Sequence, residues 1–231
     1  MMTLTTSLRP LQIGSLLSVG LVAFGALPGS AQSMPLVSEF YYDAPGADAG
    51  KLFVELAGPP GLSLDGYTLV GVNGRNGAIG PTVTLRGEIG SDGLFVLASR
   101  TASGTTSIVA ADQLAPFDFQ NGPDSVVLRF EQTTIDALGY GGFGLNDVFA
   151  GEGSPAPDVS AGQSLSRRFA DIDTDDNASD FVVLPTPSPG TALFAAVPEP
   201  TSSLLLGLGL AGLTVCGRTG GVGRVSIRRS V

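Results

Sequence analysis

The residues best suited to chemistry lie in one acidic run, residues 171–177, which reads Asp-Ile-Asp-Thr-Asp-Asp-Asn. Asp171, Asp173 and Asp175 fall at alternate positions, as in the first half of a calcium loop, where several hard oxygens must converge on one cation. The second half of such a loop is missing. Counting from Asp171, an EF-hand needs Gly at position six and Glu at position twelve, where this chain has Asp176 and Val182. The same side chains can instead cap the amides of a turn, as Asp and Asn commonly do. The run therefore supports two readings, a capped turn or a weak calcium site on Asp171, Asp173 and Asp175, and calcium is the one cofactor to consider.

Other chemistries are excluded by residue type. The chain has no histidine, and its single cysteine is Cys216, close to the C-terminus. There is no Ser-His-Asp triad, no Cys-His pair and no histidine-ligated zinc or iron. Hydrolysis would have to use paired carboxylates or the only lysine, Lys51. A carboxylate-based glycosidase acting on exopolysaccharide is the alternative to a non-enzymatic protein, but such clefts are lined with aromatics and the chain has no tryptophan. The sequon Asn177-Ala178-Ser179 carries little weight.

Between residues 32 and 197, 20 Asp and Glu stand against 7 Lys and Arg, which leaves −13. Such a field repels phosphates, so nucleic acid is not an expected partner. It favours solubility.

The elements that must position the acidic run read as strands. Segments 36–43, 51–56, 67–72, 82–85, 94–98, 107–110, 125–130, 135–138 and 181–184 are short, rich in Val, Leu, Phe, Tyr and Thr, and bounded by Gly, Pro, Asn or Asp. Leu52, Val54 and Leu56 alternate, with Glu55 pointing the other way. No stretch shows a capped helical period. This spacing predicts an all-β antiparallel sandwich or barrel, with a long surface loop over residues 140–166. Asp65-Gly66 reads as a tight turn before a core Tyr67, and Asn121-Gly122-Pro123-Asp124 as a turn using Gly for positive φ and Pro for fixed φ.

Apolar segments flank this middle. After Arg9, residues 11–27 are apolar, followed by Pro28-Gly29-Ser30-Ala31 with small residues where a signal peptidase requires them. Residues 1–31 read as a signal peptide cleaved after Ala31, with an uncleaved N-terminal anchor as the alternative. At the other end, Pro198-Glu199-Pro200 precedes an uncharged run to Gly217, with Arg218, Arg224, Arg228 and Arg229 beyond it. The run is long enough for one membrane-crossing apolar helix, and the arginines place its end on the cytoplasmic side. The division expected is 1–31 signal peptide, 32–190 β-sandwich, 191–196 linker and 197–231 sorting tail.

The tail resembles the PEP-CTERM sorting tail of bacterial exported proteins. The resemblance implies that Pro198, Glu199 and Pro200 are read by a membrane enzyme of exosortase type. The middle resembles a lamin tail domain of the bacterial secreted kind. The blocks that carry this are Ser-Glu-Phe-Tyr-Tyr-Asp at 38–43, Gly-Ala-Asp-Ala-Gly-Lys-Leu-Phe-Val-Glu-Leu at 46–56 and Leu-Asp-Gly-Tyr-Thr-Leu at 64–69, continuing through 120–128, 136–141, 162–167 and 173–177. It implies an immunoglobulin-like β-sandwich. Together they lead to the expectation of an exported, non-enzymatic module. It would be held at the membrane by its tail, then placed at the cell surface or in the extracellular matrix, with exopolysaccharide or other surface proteins as partners.

Overall fold

The structure, a computed structural model, describes residues 34–196. The expected signal peptide and the expected apolar helix lie outside the described residues. Those described form ten strands and one four-residue helix: β1 (Leu36–Tyr41), β2 (Phe53–Ala57), β3 (Tyr67–Asn73), β4 (Ile79–Thr84), β5 (Leu94–Ser99), β6 (Gln113–Ala115), β7 (Asp124–Phe130), β8 (Thr133–Tyr140), β9 (Ser164–Arg167), α1 (Asn177–Asp180) and β10 (Phe181–Leu184). The fold is all-β. A six-stranded sheet in the order β10-β9-β1-β2-β5-β6 faces a four-stranded sheet in the order β4-β3-β7-β8. Among the described residues no helix is long and apolar enough to cross a membrane.

The core follows from alternation along each strand. Phe40, Val54, Leu56, Leu69, Leu97, Val126, Leu128, Leu138 and Phe181 meet in one buried cluster. Phe40 sits at its centre, with Tyr42 and Tyr140 rings 5.1 Å away and Phe119 at 5.6 Å, tilted or edge-on as aromatic quadrupoles prefer. Tyr67 is a buried core aromatic, as expected, and Gly66 before it has φ +90°.

Three local differences from the sequence expectation have physical reasons. Segment 107–110 is not a strand: Ser107 N–H donates to Gly50 O, Ala111 N–H to Ile108 O, and Val109 is fully exposed. The edge strand is instead β6, which pairs parallel to β5, the one parallel ladder in the sheets. At the 121–124 turn Gly122 does not take a positive φ; the Gly122–Pro123 bond is cis. Glycine is needed there for room, since a Cβ would lie 2.8 Å from Tyr140 O. Finally, residues 164–166, read as the end of a loop, belong to β9, which is held between β1 and β10.

Segment 188–195 is not detached from the domain. It runs back across the outer face of the six-stranded sheet and ends beside the turn after β9, where Ala170 N–H donates to Leu193 O at 2.7 Å and Ala195 N–H to Asp171 Oδ1 at 2.7 Å.

Candidate functional site

Strand β1 shifts register between Val37 and Glu39, and the shift leaves the backbone of Val37 to be satisfied by side chains. Asp136 of β8 accepts the Val37 N–H, while Arg167 Nε of β9 donates to Val37 O at 3.1 Å. The two side chains also bind each other, with Arg167 Nη2 3.0 and 3.1 Å from the oxygens of Asp136. This buried pair ties an edge strand of the four-stranded sheet to the centre of the six-stranded one. Arg167 Nη1 adds Asp180 Oδ2 at 2.8 Å, Asp173 Oδ1 at 3.1 Å and Ile172 O at 3.2 Å, and its guanidinium lies 4.7 Å from the Phe181 ring centre. Burial pushes Asp136 upward, and the Arg167 charge and Val37 N–H pull it back down.

The acidic run wraps around that guanidinium. Asp173 Oδ1 accepts from Asp175 N–H as well as from Arg167. Asp176 accepts from Ser154 N–H and the Ser179 hydroxyl, which hold it below the usual carboxylate range. Asn177 is buried, with Oδ1 accepting from Gly139 and Glu152 N–H and Nδ2 donating to Ala137 O, which leaves the sequon amide no room for a glycan. Asp180 takes Thr174 N–H and its hydroxyl. Each of these side chains is satisfied as a turn cap would be.

Of the three residues expected to share a calcium ion, Asp171 bonds Ala195, Asp175 is exposed with φ 55°, and only Asp173 enters a convergent group. Among the described residues the carboxylates whose oxygens all lie within 4.8 Å are Asp136, Glu152 and Asp173, a set that could hold a metal ion. Glu152 Oε2 is buried without a hydrogen-bond partner, and burial, followed by the charges of Asp136 and Asp173, pushes its carboxyl up to about 8. At neutral pH Glu152 is therefore mostly a neutral acid beside a guanidinium that already serves two of the three.

Elsewhere an acid pair has no counterpart among the residues expected to do chemistry. Glu39 and Glu55 sit directly opposite each other on β1 and β2, both fully buried, an arrangement that like charges disfavour. Segment 188–195 supplies the answer. Ser188 gives Glu39 its N–H at 2.9 Å and its hydroxyl at 2.8 Å, with Ser164 Oγ at 2.6 Å, while Glu55 accepts from Gly190 N–H at 2.7 Å and Ser38 Oγ at 2.8 Å. Burial pushes Glu55 up to about 7; Ser38 and Gly190 lower it and Glu39 raises it further. Two adjacent acids with one poised near neutrality have the makings of acid–base chemistry, but the overlying segment closes them to solvent. The signal for this pair was Glu55 alternating out of the core; nothing near it announced a cover more than 130 residues away.

The cover leads straight to the tail. Residues 196–218 match the model of the PEP-CTERM protein-sorting motif. Pro198, Glu199 and Pro200 fall inside the match and outside the described residues. The match supports a protein sorted to the cell surface by an exosortase, with a membrane-anchored sorting tail. No curated protein and no solved structure compared with the chain matches it.

Proposed function

We propose that the chain is an exported, non-enzymatic β-sandwich module, delivered by exosortase sorting to the cell envelope or extracellular matrix, where it binds or spaces other components. The observation that carries the reading is the sorting motif at 196–218, which begins one residue after the bond that holds Ala195 to the domain. The resemblance of the middle to a lamin tail domain belongs to this proposal, as does an immunoglobulin-like type for the sandwich. The two facing sheets and the closed aromatic core support both. The buried acids favour the structural role over the glycosidase alternative: Glu39 and Glu55 spend their oxygens on the 188–195 segment and on serines, and Asp136 and Asp180 spend theirs on Arg167, Val37 and Thr174. Exopolysaccharide or neighbouring surface proteins are the partners proposed, with signal peptidase and the exosortase as processing enzymes.

Replacing Pro198, Glu199 and Pro200 together by alanine tests the sorting role in a chain tagged at both ends. The wild type should separate the two tags, the domain tag moving outward while the C-terminal tag stays cell-associated. The variant should keep both on one membrane-bound chain. Identical processing of the two removes the sorting role, and a matrix or glycan pull-down with the domain tests the binding role independently.

A further inference from the structure

The two ends of the described chain meet at one pole. Residue 34 leads into β1 beside Gly58, whose Cβ would lie 3.3 Å from Pro35 Cα, and Gly58 N–H donates to Gly93 O. Phe194, two residues before the chain leaves at Ala196, packs its ring on Gly93, with a Cβ built there only 3.1 Å from Cζ. The turn after β9 is at the same pole, because β9 runs antiparallel to β1 and Arg167 lies toward the Leu36 end.

This pole carries four exposed apolar side chains. Phe169 is 46% exposed, Ile172 42%, Leu193 71% and Phe194 40%. They are not scattered. Ile172 N–H donates to Phe169 O and Ala170 N–H to Leu193 O, so all four sit on two segments bonded to each other. Phe194 lines an open groove with Pro59, Pro60 and Gly93, with Asp92 and Asp171 also on its wall; Phe169 and Ile172 line another with Arg168 and Asp180. Contiguous exposed apolar surface marks an interaction site.

What covers it follows from the length of chain beyond it. Only residues 197–200 separate Ala196 from the uncharged run that ends at Gly217. Four residues, even fully extended, span about 14 Å. With the run in a bilayer, the exit pole is held within the headgroup region, and no other surface of the domain is held as near. Apolar side chains entering the interface, with a cationic side chain among the headgroups, suit that position. Arg168 stands at the rim, its Nε on Ser179 O, and makes no ion pair among the described residues.

We propose that Phe169, Ile172, Leu193 and Phe194 form a membrane-contacting face, seating the domain on the lipid surface for as long as the tail is attached. This rests on the membrane-anchored tail of the preceding subsection. The domain carries −13, so the contact must come from apolar insertion rather than attraction to anionic lipid, and added salt should not release it.

The absence of tryptophan makes the test direct. Single-tryptophan chains F169W, I172W and L145W, each retaining the sorting tail, are reconstituted into phosphatidylcholine vesicles with and without brominated acyl chains. Leu145 is fully exposed at the opposite pole, in the loop after Tyr140, whose ring stacks on Tyr42 beyond the far end of β1. The expected result is blue-shifted emission at 169 and 172, lost on bromination and insensitive to salt, with neither change at 145. Both positions are surface ones, so if one variant melts abnormally the other carries the test. Emission at 169 and 172 that is quenched by aqueous iodide but no more by bromine than at 145 overturns the proposal. Protection from both quenchers also overturns it, by assigning the face to a second copy or another protein. Alkaline extraction of the same vesicles separates the premises: a chain that stays while its tryptophans remain water-exposed refutes the face alone, and a chain that is extracted refutes the anchored tail and the face together.

Discussion

Glu55 offers the sharpest test of how the 188–195 segment is held. Its carboxyl is buried on β2 opposite Glu39, and burial raises it from 4.5 to about 7. Below pH 4.5 the group is protonated in the folded and the unfolded chain, and the domain has the full stability of a neutral side chain there. As pH climbs, the unfolded chain releases its proton first, so stability falls steadily until the folded carboxyl ionises near pH 7, beyond which the loss is complete. A rise from 4.5 to about 7 corresponds to about 3 kcal/mol. Glu55→Gln keeps an oxygen for Gly190 N–H and cannot ionise. Urea unfolding of residues 32–196 at pH 4 and pH 8 should therefore show the variant gaining about 3 kcal/mol on the wild type across that window, whatever fixed offset the amide introduces. Glu152, raised in the same direction, is common to both chains and cancels in the difference. Parallel pH curves for the two proteins would mean that Glu55 ionises freely, and the account of a sealed acid pair would fall.

Two further outcomes follow from the same contacts. Arg167→Met leaves Asp136 and Asp180 buried without their cation, a change that costs about 3–5 kcal/mol in comparable pairs; adding Asp136→Leu to it should restore part of that loss in the double variant, read by urea unfolding. A chain ending at Pro189 loses the Gly190 N–H on Glu55, the Ala195 N–H on Asp171 and the Phe194 ring on Gly93. It should melt about 5 °C or more below one ending at Ala196, both unaffected by reductant, and equal melting temperatures would show the segment to be an ornament.

Most of the sheet was legible because its strands are made of side chains that suit a half-buried pleat. Segments such as Phe-Val-Val-Leu at 181–184 have one reading. Ser-Leu-Ser-Arg of β9 has a single aliphatic residue, and its conformation comes from being paired on both sides. Segment 107–110 errs the other way: Ser-Ile-Val-Ala has strand propensity, but no neighbour comes to pair with it. The acidic run shows the same limit at the level of chemistry. Alternating Asp is common to a calcium loop and a capped turn, and the groups that bond this run, on Gly139, Glu152, Ser154 and Arg167, are all distant in sequence or outside it.

The 188–195 segment overlaps residues 191–196, expected to be a linker, and its Ser-Pro-Gly-Thr-Ala composition is what a spacer also uses. Its bonds argue against that role. A spacer decouples two bodies; this segment offers N–H groups at Ser188, Gly190 and Ala195 to three carboxylates, two of them buried, and surrenders its conformational freedom to do so. The sorting motif then begins at residue 196, one residue past the last of those bonds. The tail therefore leaves the domain beside the same contacts that close over Glu39 and Glu55. Loosening that pair should therefore free the tail's exit point before it alters the core.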